Sequence, residues 1–190
     1  MRQHITGKLL LAALLAFAPA MPWVGSARAE MAVTVGGAPM YSSKTIIENA
    51  VNSSDHTTLV AAVKAAGLVD TLSGPGPFTV FAPTNEAFAQ LPPGTVETLL
   101  KPENKAMLAT VLTYHVVPGR ITQAQLVGWI KAGHGKAMLK TVQGENLTFM
   151  MHGKQVVLAG AKGGRGVITI PDVMQSNGVI HVVDAVLVPK

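Results

Sequence analysis

The stretch Phe78-Thr79-Val80-Phe81-Ala82-Pro83-Thr84-Asn85-Glu86-Ala87-Phe88 decides how this chain is read. Its first four residues are strand formers, and Thr79 and Val80 alternate to opposite faces of a pleated ribbon. Pro83 closes that run, since it has no N–H to give to a ladder. Thr84 or Asn85 then offers a side-chain oxygen to the orphan N–H groups of a new helix. That helix is expected to reach Leu91 and to bury Phe88.

Upstream of this stretch the apolar period is helical. Ile46, Ile47, Ala50 and Val51 mark one face of a helix over 45–51. A second helix, 56–66, follows cap residues at Ser53-Ser54-Asp55 and turns Leu59, Val60, Val63 and Ala66 inward. Gly67 stands where a helix C′ glycine belongs, and Ser73-Gly74-Pro75-Gly76-Pro77 is a turn cluster. Downstream, a helix begins near Thr95, with Pro102 where a first-turn proline is tolerated. Met107, Leu108, Val111 and Leu112 mark a further helix that runs into Tyr114-His115 and stops at Pro118-Gly119. Thr122 caps one more, carrying Leu126, Trp129 and Ile130 and ended by Gly133.

After Gly135 the period falls from 3.6 to 2. Strands are expected over 138–142, 146–150, 155–158, 167–170 and 179–188, with turns at Gln143-Gly144-Glu145, His152-Gly153, Gly163-Gly164 and Asn177-Gly178. The last of these should supply the positive φ values of a tight turn. Helices first and strands afterwards predict an α+β fold with a mostly antiparallel sheet.

The N-terminus reads as an export signal. Arg2 and Lys8 bracket a short basic start, Leu9 to Ala18 is an unbroken apolar run, and Pro19 and Pro22 interrupt it. A run of that length suits a signal core, whereas a membrane span needs about 20 apolar residues. Ala27-Arg28-Ala29 gives the small-x-small pattern, which puts cleavage between Ala29 and Glu30. Residues 30–43 follow as an extended, peripheral leader, and 44–190 as a single domain with no stable membrane span after cleavage. The chain has 15 Lys and Arg against 10 Asp and Glu. Loss of Arg2, Lys8 and Arg28 leaves 12 against 10, too slight an excess to argue for nucleic acid. Cys is absent, so stability has to come from core burial.

A search for chemistry yields little. His56, His115, His134, His152 and His181 have no His-x-x-x-His pair and no completing carboxylates, so no metal set or cofactor is assigned. Met150 and Met151 beside His152 suit copper in type, although Met151-His152-Gly153 also reads as a hairpin end. His115 and His181 are expected to make structural hydrogen bonds. There is no Gly-x-Ser-x-Gly elbow, and Gly163-Gly164-Arg165-Gly166 lacks the Gly-Lys-Ser/Thr of a phosphate loop. The residues give no support for an enzyme.

Three segments go beyond generic patterning. The opening stretch resembles the first signature of the fasciclin domain, through Thr79, Val80, Phe81, Pro83, Asn85 and Phe88. Residues 177–189, with Asn177, Gly178 and His181, resemble the second. Tyr114-His115-Val116-Val117-Pro118-Gly119 is similar to the tyrosine-histidine segment of the family. Order and spacing agree over roughly 44–190, and residues 46–72 resemble small bacterial single-domain members, some of them secreted or surface proteins. The resemblance implies a β-sandwich-like wedge flanked by several short helices, used without enzymatic activity in adhesion and extracellular protein contact. In animal members a segment of Asp-Ile-Met type and the tyrosine-histidine segment are associated with integrin contact. The matching residues here are Asp172, Val173 and Met174, and Tyr114 and His115. Val173 replaces Ile, and Ile170-Pro171 stands where one animal version has an acidic residue and Pro. A competing structural reading has Asp172 capping a short turn and Met174 packing in the core. The expected partner is a protein or a surface or matrix ligand, and this protein is expected to be secreted or periplasmic, with association to the cell surface left open. The alternative is a periplasmic carrier of a small ligand or copper, drawn from seven Met and five His in the mature chain.

Overall fold

The computed structural model describes residues 32–190. The expected signal sequence and its expected cleavage point between Ala29 and Glu30 lie outside the described residues. Nine strands and seven α-helices follow one another within that range. A two-stranded hairpin, β1 (Val33–Val35) and β2 (Ala38–Met40), precedes α1 (Ile46–Ala50), α2 (Thr57–Ala66) and α3 (Val69–Ser73). Then come β3 (Phe78–Pro83), α4 (Asn85–Ala89), α5 (Thr95–Leu99), α6 (Lys105–Tyr114), β4 (Val116–Pro118) and α7 (Gln123–Ala132). Five strands complete the chain: β5 (Lys136–Lys140), β6 (Asn146–His152), β7 (Gln155–Ala159), β8 (Arg165–Gln175) and β9 (Gly178–Val183).

Seven of these strands form one sheet in the order β4-β3-β9-β8-β7-β6-β5. All its pairings are antiparallel except β3 with β9, which run parallel with Phe81 opposite His181. The Val142 N–H donates to the Val116 carbonyl at 2.8 Å, so the far end of the sheet curls back toward β4.

Alternation along the central strands builds two cores. Val80 and Ala82 on β3, Val116 on β4, and Ile180 and Val182 on β9 face a layer made by α1, α2, α6 and the hairpin. Their neighbours Phe81, Val117 and Val183 face the other way, into the curl, where they meet Leu147, Phe149, Val156, Leu158 and Ile168. Leu126 and Ile130 of α7 close that inner core. β9, buried at all six residues, therefore reads as a continuous apolar run because it is covered on both faces.

The structure corrects several expectations. The 30–43 leader is extended where it is described, but it is not peripheral. Val35 and Met40 are 4% and 3% exposed and belong to the outer core. On α1 the buried residues are Ile46 and Asn49, whereas Val51 is 49% exposed. Val60 is only half-buried, and Ala62 takes its place inward. Met107 and Trp129 are 59% and 42% exposed, not core. The strand expected at 167–170 extends to Gln175, and the one expected at 179–188 stops at Val183. The helix expected to stop at Pro118-Gly119 ends already at Tyr114, and Val116–Pro118 form the short strand β4; helix α3 has no counterpart among the expected helices. Neither Asn177 nor Gly178 has a positive φ. Gly178 is required for a different reason: a Cβ there would sit 2.1 Å from the Phe78 carbonyl oxygen of the parallel neighbour. Gly67, by contrast, has the left-handed conformation expected of it, at φ 73°. No helix among the described residues is long and apolar enough to cross a membrane.

Candidate functional site

The three signature segments meet on the neighbouring strands β4, β3 and β9, and their polar side chains tie these strands to the elements around them. Thr84 accepts from the Ala87 N–H as the N-cap of α4, which leaves Asn85 free for a distant task. Its Oδ1 accepts from the Thr58 N–H at 3.0 Å, and its Nδ2 donates to the Ser54 carbonyl at 2.7 Å. Thr79 donates to the Gly119 carbonyl and accepts from the Ile121 N–H. Asn177 is buried, accepting from the Ile46 N–H and donating to the Leu72 and Gly74 carbonyls.

The histidines are interior too. His181 stacks on Phe81 with ring centroids 5.5 Å apart. It accepts at Nδ1 from the Asp172 N–H, which leaves Nε2–H to donate to the Ile121 carbonyl at 2.8 Å. His115 donates from Nδ1 to the Val111 carbonyl and accepts at Nε2 from the Leu187 N–H. Burial lowers the pKa of both rings, that of His115 to about 4, against the opposing pull of those carbonyls. Tyr114 donates to the Asn146 carbonyl and accepts from the Ala161 N–H. Burial pushes its phenol pKa up. The expected structural bonds of His115 and His181 are thus present.

Of the partner-contact candidates, Tyr114, His115 and Val173 are 0%, 3% and 1% exposed in the folded domain. Asp172 and Met174 are half-buried, and Met174 belongs to neither core cluster. Asp172 sits at φ 56° in an irregular stretch of β8, a conformation unusual for a non-glycine residue. Its Oδ1 accepts from the Gln123 N–H at 2.8 Å, so it caps a long helix, α7, rather than a short local turn.

One arrangement was not legible in the sequence. Ser53 Oγ and His56 Nδ1 lie 2.9 Å apart, a distance at which a base could activate a hydroxyl. Both residues are buried, however, and the β1–β2 turn lies over them: a Cβ on Gly36 would collide with Ser53 Oγ. Burial also lowers the His56 pKa. Its Nε2 has no hydrogen bond of good geometry, although the Ala82 carbonyl, Asp55 and Glu86 favour its charged form. The adjoining cavity, lined by Met40, Ile46, Leu59 and Val63 among others, measures about 40 Å³. That is well short of the roughly 150 Å³ of a cavity that holds benzene. The copper-type trio is separated as well. Met150 and His152 point to the outer face of β6, and Met151 packs against the inner core.

The fasciclin domain model matches residues 54–189. The chain belongs to the fasciclin domain family. A relative from Synechocystis sp., Protein sll1483, is 48% identical over 180 residues, covering 93% of each chain. Immunogenic protein MPB70 of Mycobacterium bovis is 35% identical over 145 residues, covering 74% of this chain and 66% of its own. Among solved structures, a fasciclin domain pair from the insect cell adhesion molecule Fasciclin I aligns with a TM-score of 0.68 at 20% identity. That alignment covers 76% of this chain and 50% of the insect chain. Of the fasciclin domain signature residues, Phe81, Asn177, Gly178 and His181 are all buried where β3 meets β9.

Proposed function

We propose that this protein is an exported, non-enzymatic fasciclin-domain binding module that mediates adhesion or extracellular protein–protein contact. The observation that carries the reading is where the signature side chains end: Tyr114, His115, Asn177 and His181 all bond within the domain. Such a constellation specifies a scaffold, and the scaffold is left to act through its surface. The likeness to a cell adhesion molecule and the export-type N-terminus point the same way. In a surface-attachment assay, cells lacking the protein should attach less than their parent, and the purified protein should restore attachment. Parent-like attachment by the deletion strain, together with no surface binding by the purified protein, would sink the proposal.

A further inference from the structure

A sheet that curls on itself has an inner and an outer face along its whole width, and here only half of the outer face is covered. The helical layer overlies β3, β4 and β9. Across β5 to β7, α7 packs on the inner face. Among the described residues the outer face there and over the first part of β8 carries no helix, whereas Ile170 and Val173 further along β8 lie under the helical layer. Antiparallel sheets with one wet face alternate apolar inward and polar outward. This one keeps apolar residues outward too. Met150 opposes Val157 and Val157 opposes Val167 across three strands. Met138, the next outward residue after Lys136 on β5, is 64% exposed. Lys136 and Lys140 flank it, and Arg165 stands at the start of β8.

Charge is divided in the same way. Residues 136–166 hold five Lys and Arg against the single carboxylate of Glu145. Residues 46–114, the helical layer, hold six carboxylates against three Lys. That layer has its own apolar exposure: Met107, 59% exposed, edges a hollow formed with Pro93, Thr95 and Leu99. Glu97 and Glu103 are exposed nearby, while the Lys105 ammonium is drawn away against Gly67 at the end of α2.

We propose that the uncovered basic face of β5–β8 docks onto the acidic helical layer of a second copy, so that copies join head to tail. The proposal rests on the binding-module reading and names its partner. An apolar centre with a charged rim is how protein contact surfaces are built, and the chain carries both complementary poles. Because the two faces differ, association is heterologous and adds copies in series rather than closing into a symmetric dimer.

Light scattering and sedimentation on the protein as the cell produces it test this. In dilute salt the mean mass should climb above the monomer mass with concentration. It should return to the monomer near 1 M salt, where the screening length falls from about 10 Å to about 3 Å. Lys136→Glu with Lys140→Glu and Arg165→Glu should give a monomer, as should Glu97→Lys with Glu103→Lys. Mixed in equal amounts, the two variants should associate again, since the basic sheet of one meets the acidic layer of the other. Circular dichroism checks that each variant is folded; if one is not, the other variant and the salt series still decide. A protein that stays monomeric at every concentration in low salt, or association that survives both variants, overturns the inference. So does a mixture of two folded variants that remains monomeric. A monomer that still attaches to surfaces would remove this inference and leave the binding-module reading standing.

Discussion

Asn177 joins α1, the end of α3 and the turn into β9 through three hydrogen bonds from one amide. Truncation strands a buried N–H and two carbonyls, each with its own desolvation penalty. Asn177→Ala should therefore cost about 3 kcal/mol in urea denaturation. Gly178→Ala should be at least as damaging, because the Phe78 carbonyl that it would strike is held in the parallel ladder. The buried histidines make stability depend on pH. His115 titrates near 4 when folded against an ordinary value of 6.5, so between those values the unfolded chain binds the extra proton. Stability should be fully present above about pH 6.5, fall as acid is added toward pH 4, and flatten below that. His115 alone accounts for about 3 kcal/mol of the drop, and burial pushes His56 and His181 in the same direction. Unfolding free energies measured from pH 7 to pH 4 check this. His115→Gln should be less stable at pH 7 but show a shallower slope.

Among the elements, α7 is held at its N-terminus from two directions. Thr122 and Gln125 form a capping box, and Asp172 reaches in from β8. Thr122→Ala should cost about 1 kcal/mol, and Asp172→Ala a similar amount. The two losses should not simply add, since both act on one helix end. A double-mutant cycle by chemical denaturation measures that coupling. The β1–β2 hairpin offers a sharper test. A peripheral leader would tolerate substitution within about 0.5 kcal/mol, whereas Met40→Ala in the outer core should cost about 3 kcal/mol. A near-zero cost for Met40→Ala would contradict the packing described for this hairpin.

For the molecule as a whole, the α+β class, most helices, the strand-rich second half and the family were legible in the sequence, because each is written in local periodicity or in signature residues. What was not legible depends on pairing at a distance. The helical period marked α1 correctly, but Asn49 became its buried residue because Gln175, far along the chain, accepts from its amide. The parallel union of β3 with β9 left no local mark, so Gly178 was read as a turn glycine when its role is close backbone approach. Trp129 and Met107 fitted a helical face by type and spacing, yet neighbouring residues filled the core. The family resemblance singles out Tyr114 and His115. Their place inside the domain, with bonds to Asn146, Ala161, Val111 and Leu187, follows only from the tertiary fold.

The position of β9 between β3 and β8 bears on how the molecule is made. Every strand to its left and right in the sheet is synthesised earlier, so on the ribosome the helices and hairpins accumulate around a missing middle. Strands β5 to β8 pair as successive hairpins, but β3 and β4 join them only through β9, a long-range pairing of the kind that delays folding. A nascent chain arrested after Gln175 should remain open and sensitive to protease. One released after Val188 should become resistant in a single step, and pulse-labelled limited proteolysis would show the difference. The last strand to emerge acts as the keystone, and until it arrives the two groups of strands that it joins should stay apart.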